Sequence, residues 1–83
     1  MYRIKISKKA KSELKAIKTF YNATIIFALE EIKEAPLLGK PLTKEFSGTY
    51  SIRVGVYRII YRINKKDRVV TIISAGHRAT VYQ

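Results

Sequence analysis

Between Tyr50 and Ile73 the chain runs through a period-two alternation three times, and few folds accept that pattern. Tyr50, Ile52 and Val54 alternate with Ser51 and Arg53. Ile59, Tyr61 and Ile63 alternate with Arg58, Ile60 and Arg62, and Val70 and Ile72 alternate with Val69, Thr71 and Ile73. A strand sends successive side chains to opposite faces, so each run predicts a strand with one apolar face. Gly55 marks the first reversal and Asn64-Lys65-Lys66-Asp67 the second, both of them turn-forming compositions. Three strands in such close succession form a meander, whose apolar face has to be covered by other elements.

The first half of the chain supplies the cover. Tyr2-Arg3-Ile4-Lys5-Ile6 alternates and predicts a short strand. Ser7 is a good N-cap, and from Lys8 onward Ala10, Leu14, Ile17 and Tyr21 fall on one helical face among lysines. Asn22 interrupts or caps, and a second helix is expected from about Ala23 to Glu34 with Ile25, Leu29 and Ile32 as its core stripe. Ile26 and Phe27 widen that stripe, which predicts a deeper core; the alternative is a groove that receives an apolar helix from a partner. Pro36, Gly39 and Pro41 mark an ordered connection from about Ala35 to Gly48. The expected fold is α+β in the order β-α-α-β-β-β, with a two-helix hairpin packed on one face of a mainly antiparallel four-stranded sheet. All 83 residues belong to this one domain.

Charge narrows the function. Seventeen Lys and Arg against six Asp and Glu give a formal net charge of +11. Such an excess attracts polyanions, with nucleic acid ahead of an anionic membrane surface or an acidic protein. Five of the six acids precede Ser47, whereas seven basic residues and the single acid Asp67 follow Tyr50. A merely solvated, highly charged surface is the plain alternative. The chain has no cysteine, which removes disulfides, thiolate metal sites and cysteine nucleophiles together. The first ten residues lack an apolar signal core, and the longest uncharged run, Thr19 to Leu29, falls short of a membrane span. A cytoplasmic protein with no membrane partner is the expectation.

Strand parity selects the working face. With Ile59, Tyr61 and Ile63 against the helices, Arg58 and Arg62 project from the other side. The same parity turns Tyr50, Ile52 and Val54 inward and Ser51 and Arg53 outward. Two neighbouring strands thereby offer arginines to one open surface, the expected RNA-binding face. Tyr50, Tyr57 and Tyr61 are assigned to the core, and Arg62 and Lys44 to general contacts with an RNA backbone. One histidine and six scattered carboxylates make no zinc or two-magnesium constellation, so no metal or cofactor is expected.

The block from Ser51 to Tyr61, Ser-Ile-Arg-Val-Gly-Val-Tyr-Arg-Ile-Ile-Tyr, and the ending Gly76-His77-Arg78-Ala79-Thr80-Val81-Tyr82 resemble the RelE/ParE toxin superfamily. Element order, chain length and the Pro-Leu-x-Gly-x-Pro-Leu loop fit the resemblance as well. It implies the toxin of a type II toxin–antitoxin system, a RelE-type endoribonuclease that enters the ribosomal A site and cuts mRNA there. Ribosome, mRNA and a cognate antitoxin with an acidic or amphipathic segment are the implied partners, the last in a toxin–antitoxin heterotetramer. The positions that match functional ones are Arg53, Arg58, Arg78 and Tyr82. His77 stands where related toxins commonly have a basic residue. A lysine pair frequent in the family reads here as Ser51 and Arg53, which leaves the general base open.

These residue types suit the chemistry. RNA is cut when its own 2′-hydroxyl attacks the adjacent phosphate, leaving a 2′,3′-cyclic phosphate and a 5′-hydroxyl. Arginine offers permanent charge and a planar donor fork that matches phosphate oxygens, the role given to Arg58. The resemblance implies that Arg78 stabilises charge or assists the leaving group. Positive surroundings lower a tyrosine pKa and make Tyr82 a better base, while His77 is the residue whose ordinary pKa lies near neutrality. Two alternatives remain: a ParE-like inhibitor of DNA gyrase, and an inactive relative that binds RNA or the ribosome without cutting.

Overall fold

A computed structural model describes residues 2–17, 22–41 and 48–77. In chain order these form β1 (Arg3–Ile6), α1 (Lys8–Ala16), α2 (Asn22–Glu34), a 3-10 turn (Pro36–Leu38), β2 (Lys40–Pro41), β3 (Thr49–Val54), β4 (Tyr57–Asn64) and β5 (Val69–His77). The strands make one sheet in the order β1-β5-β4-β3-β2. Neighbouring pairs are antiparallel except β1 and β5, which run parallel. The expected α+β architecture holds, with one addition. Two residues of the Pro-rich connection, Lys40 and Pro41, pair with Ser51 and Tyr50 as a fifth, edge strand. A proline is tolerated there because an edge strand need not donate from every amide.

Local chemistry sets the boundaries. Ser7 caps α1, its Oγ accepting from the Ala10 amide at 3.1 Å. Helix α1 stops at Ile17, which turns extended (φ −74°, ψ 136°) while its amide still donates to the Leu14 carbonyl. Tyr21, expected on the same face, lies outside the described residues. The turn between β3 and β4 is the two residues Gly55-Val56, with Gly55 at φ 61° as short hairpin loops require. The second turn is tied by Asn64, whose Oδ1 accepts from the Asp67 amide at 3.0 Å and whose Nδ2 donates to the Asp67 carboxylate at 3.1 Å.

The core joins both layers. Ala10 and Ile17 with Ile25, Ala28 and Ile32 meet Val54, Ile59, Tyr61, Val70, Ile72 and Ala75. Tyr50, Tyr57 and Ile63 pack against it, so all three tyrosines of the meander are core residues. The wide stripe on α2 does not extend the core, however: Ile26 and Phe27 are 60% and 65% exposed. Ala28 takes the place expected of them, because it lies three residues from Ile25 and four from Ile32 on one face of the helix.

Tyr61 anchors the connection to the sheet. Its ring stacks on Tyr50 with centroids 5.9 Å apart. Its hydroxyl donates to the Pro36 carbonyl at 2.6 Å and accepts from the Gly39 amide at 2.9 Å, both bonds buried. Gly39 is required for room: a Cβ there would run into the Tyr61 hydroxyl and the Ser51 carbonyl.

Replacing Tyr61 by Phe strands the Pro36 carbonyl and the Gly39 amide, and about 1–3 kcal/mol of stability should be lost in urea titrations. Burial pushes the Tyr61 phenol above its ordinary 10.0, with the Gly39 amide opposing and Tyr50 adding to the shift. The folded chain therefore holds this proton longer than the unfolded one. Its contribution is complete below pH 10 and declines as pH rises through the folded-state value. Alkaline unfolding should be shallower in Tyr61→Phe; an identical pH slope in the two proteins would contradict this.

Candidate nucleic-acid interface

Register converts strand parity into rows of side chains on the face away from the helices. Arg53, Arg58 and Gly76 form one row across β3, β4 and β5; Ser51, Ile60 and Ser74 form the next. Thr49, Arg62, Thr71 and Lys5 make a third that reaches β1, and Asn64, Val69 and Arg3 a fourth. Arg3, Lys5, Arg53 and Arg62 are exposed and Arg58 is half-buried. Directly opposed residues place their Cβ atoms about 5 Å apart, so Arg53 and Arg58 stand side by side. Sequence parity anticipated this pair. It passed over Arg3 and Lys5, which reach this face because β1 joins the sheet beside β5 with Ile4 turned inward.

The surface is less open than expected. Thr49, Ser51, Ile60 and Ser74 on that face are all buried. Ser51 is directed as parity predicted, but it is not a surface position. It lies between β2 and β4, paired with Lys40 on one side and Ile60 on the other. The face therefore carries its cations around a buried middle row of Ser51, Ile60 and Ser74.

The edge of β5 is held by an acid that sequence reasoning passed over. β1 ends opposite Ile72, and Ile73 is an extra residue, since Tyr61 pairs with Ile72 while Ile60 pairs with Ser74. Such a bulge flips the parity of the residues beyond it, which brings Ala75 into the core. Ser7 and Glu13 secure it. Ser7 donates through its amide to the Ile72 carbonyl at 3.0 Å and through Oγ to the Ile73 carbonyl at 3.1 Å. Glu13 Oε1 accepts from both Ser74 Oγ and the Ala75 amide at 3.1 Å. The carboxylate thus occupies an amide that β1 is too short to reach, and it fixes the stretch that sets Gly76 opposite Arg58. Its only sequence signal was an isolated acid in a lysine-rich helix.

His77 obeys the shifted parity. It pairs with Tyr57 and meets its ring edge-on, centroids 6.2 Å apart and planes at 74°. The structure thus brings together Arg53 and Arg58 and puts His77 on the Tyr57 side of the sheet. Arg62 is four residues further along β4, about 13 Å at the rise of a strand. Arg78, Tyr82 and Lys44 lie outside the described residues. Among the described residues there is no group of three or more His, Asp or Glu side chains able to hold a metal ion, and no helix is long and apolar enough to cross a membrane.

Two cations opposed across a strand pair repel, at a cost of roughly 0.2–1 kcal/mol. Arg53→Gln should therefore raise the melting temperature slightly in dilute buffer, and the gain should shrink as salt screens the pair. A variant that melts lower than wild type at every salt concentration would show that Arg53 is held by favourable contacts.

Known proteins share this fold. The family model of the ParE toxin of type II toxin–antitoxin systems matches residues 4–82. Toxin RelG of Mycobacterium tuberculosis is 34% identical over 84 residues, which span 99% of this chain and 97% of that protein. The crystal structure of the toxin–antitoxin complex RelBE2 from Mycobacterium tuberculosis superposes with a TM-score of 0.84 at 34% identity, covering 93% of this chain and 98% of that one. The intact E. coli RelBE toxin–antitoxin complex shares the fold, with a TM-score of 0.81 at 22% identity over 93% of this chain and 96% of the other.

Proposed function

This chain belongs to the RelE/ParE toxin superfamily of type II toxin–antitoxin systems, and from that premise we propose that it is a ribosome-dependent endoribonuclease that cuts mRNA in the ribosomal A site without a metal ion. The observation that carries the proposal is the Arg53–Arg58 pair, opposed on the sheet face away from the helices with Gly76 beside it. Two guanidinium groups there suit a single phosphodiester, and the glycine leaves room for one to approach. The 2′ oxygen forms a bond to phosphorus as the bond to the 5′ oxygen breaks. The base takes the 2′ proton and the departing 5′ oxygen gains one. Arg53 and Arg58 hold the phosphate and stabilise its added charge. Arg78 supports the leaving oxygen. Of the two candidate bases, Tyr82 is favoured over His77, because β5 directs His77 towards Tyr57 and away from the arginine pair.

An antitoxin is the expected protein partner, as in the Mycobacterium tuberculosis toxin–antitoxin complex that this chain resembles. Exposed Ile26 and Phe27 on α2 and the cationic outer face are its two candidate docking surfaces. Action on ribosomes places the protein in the cytoplasm. Inhibition of DNA gyrase is the second reading, favoured by the match to the ParE toxin model.

Mapping the 5′ ends of cellular mRNA after brief expression tests the first reading. Cuts within codons should appear, and only on translated messages. Arg58→Ala should lower cleavage by about 10²–10³-fold and Tyr82→Phe by about 10²–10⁴-fold, with both variants still folded. Wild-type rates in both would refute the site. Loss of supercoiling activity in a purified gyrase assay free of ribosomes would favour the second reading instead.

A further inference from the structure

The outer face has a second feature that cleavage does not use. At its β1 end, Arg3, Lys5, Asn64, Asp67, Val69 and Thr71 line a cleft of about 610 Å³. That is within the range of small-molecule sites and roomy enough for a nucleotide. Its position is fixed by register. Lys5 and Thr71 share a row with Arg62, and Arg3 and Val69 share the next with Asn64. The backbone is tied down there too, since the Arg3 amide donates to the Arg68 carbonyl at 2.9 Å. The Asp67 carboxylate accepts from Asn64 inside the turn, so the acid in this cleft has a structural role. Exposed Lys65, Lys66 and Arg68 belong to the same hairpin end. Cations, a hydroxyl and the apolar side chain of Val69 together suit a phosphate with an unpaired base beside it.

The cleft and the arginine pair are on one face. Along β4, six residues separate the Arg58 row from the Asn64 row, about 20 Å, with exposed Arg62 between them. We propose that the Arg3–Lys5 cleft is a second RNA-binding site, taking a phosphate and unpaired base of single-stranded RNA several nucleotides from the phosphodiester held by Arg53 and Arg58. The inference rests on the reading of the outer face as an RNA surface. It adds to it a defined position and two side chains outside the cleavage chemistry. The bound nucleotide belongs either to the message or to a single-stranded segment of ribosomal RNA, which present the same chemistry.

The test is equilibrium binding over a salt series, to a fluorescent 12-nucleotide single-stranded RNA in one arm and to vacant ribosomes without message in the other. Each phosphate contact on a single strand contributes about 0.7 to the slope of log K against log salt. Arg3→Gln/Lys5→Gln, which removes both cations from that one phosphate, should flatten the slope by about 0.7, and each single variant by part of that. Lys8→Gln/Lys11→Gln, on exposed positions of α1, removes the same charge elsewhere and should leave the slope near wild type. A drop with the oligonucleotide identifies the message as occupant, and a drop with ribosomes alone identifies ribosomal RNA. Folded single variants with wild-type slopes in both arms would overturn the cleft while leaving the nuclease reading intact. An equal drop in the α1 control would also overturn it, by reducing the effect to net charge. Wild-type protein that binds neither RNA nor ribosomes would remove both proposals.

Discussion

Everything on the working face depends on β4 being hydrogen-bonded on both sides. Tyr57 through Arg62 pair with β3, and Tyr57 through Asn64 with β5, so no residue of this strand can slip by one without carrying two neighbours along. A one-residue slip would exchange faces, sending Ile59 and Tyr61 to the surface and Arg58 and Arg62 into the core. The cost of burying two guanidinium groups far exceeds what the fold of a chain this size can absorb. The inward half of β4 therefore enforces the outward half, and the arginine positions are dictated by the apolar ones. Tyr61 adds a lateral lock: its two hydrogen bonds fasten the Pro36–Gly39 segment, from which β2 starts to cover the far edge of β3.

The bulge at Ile73 limits this regularity in a useful place. Without it, strict alternation from Val70 and Ile72 would continue to Ser74 and Gly76, leaving a hydroxyl and a bare backbone over the core. The extra residue substitutes Ala75, which is fully buried, and returns Ser74 and Gly76 to the arginine face. An unpaired amide is the usual cost of such an irregularity at a sheet edge, and Glu13 removes it. Helix α1 thus does more than cover the sheet. Its acid takes over where β1 ends, so the alignment of Gly76 with Arg58 depends on a side chain from the opposite layer.

Much of this was legible in the residues because period-two patterning is a direct image of a sheet with one wet face. The three meander strands, Ser7 as a cap, the Gly55 hairpin and the opposed arginines all came from local rules. The remainder needed partners that are distant in sequence. That β1 lies parallel beside β5, and so adds Arg3 and Lys5 to the face, is a tertiary fact that five alternating residues do not encode. Ile73 reads as one more alternating aliphatic, so the bulge left no trace. On α2, Ile26 and Phe27 carry the composition of a core but the geometry of a flank. Hydrophobicity is insufficient to distinguish a deeper interior from a surface awaiting cover. Ser51 shows the converse, a polar residue directed outward yet buried.

Charge divides between α2 and the outer sheet face rather than between the two layers, because α1 carries Lys8, Lys9, Lys11 and Lys15. Glu30, Glu31 and Glu34 line α2 next to exposed Phe27, whereas the exposed cations Arg3, Lys5, Arg53 and Arg62 lie on the far side of the sheet. The acids of α2 repel a polyanion locally, so exposed Ile26 and Phe27 suit an apolar partner better than RNA. This separation constrains inhibition by a bound partner. One that covered only α2 would leave the arginine face exposed, because the sheet stands between them. Direct occlusion requires a segment that crosses an edge of the sheet, past β1 or past β2, and offers carboxylates on arrival. The β1 edge is the shorter detour from α2, since the Tyr2 amide already donates to the Lys33 carbonyl near the end of that helix, and the cleft beside Arg3 and Lys5 lies just beyond it.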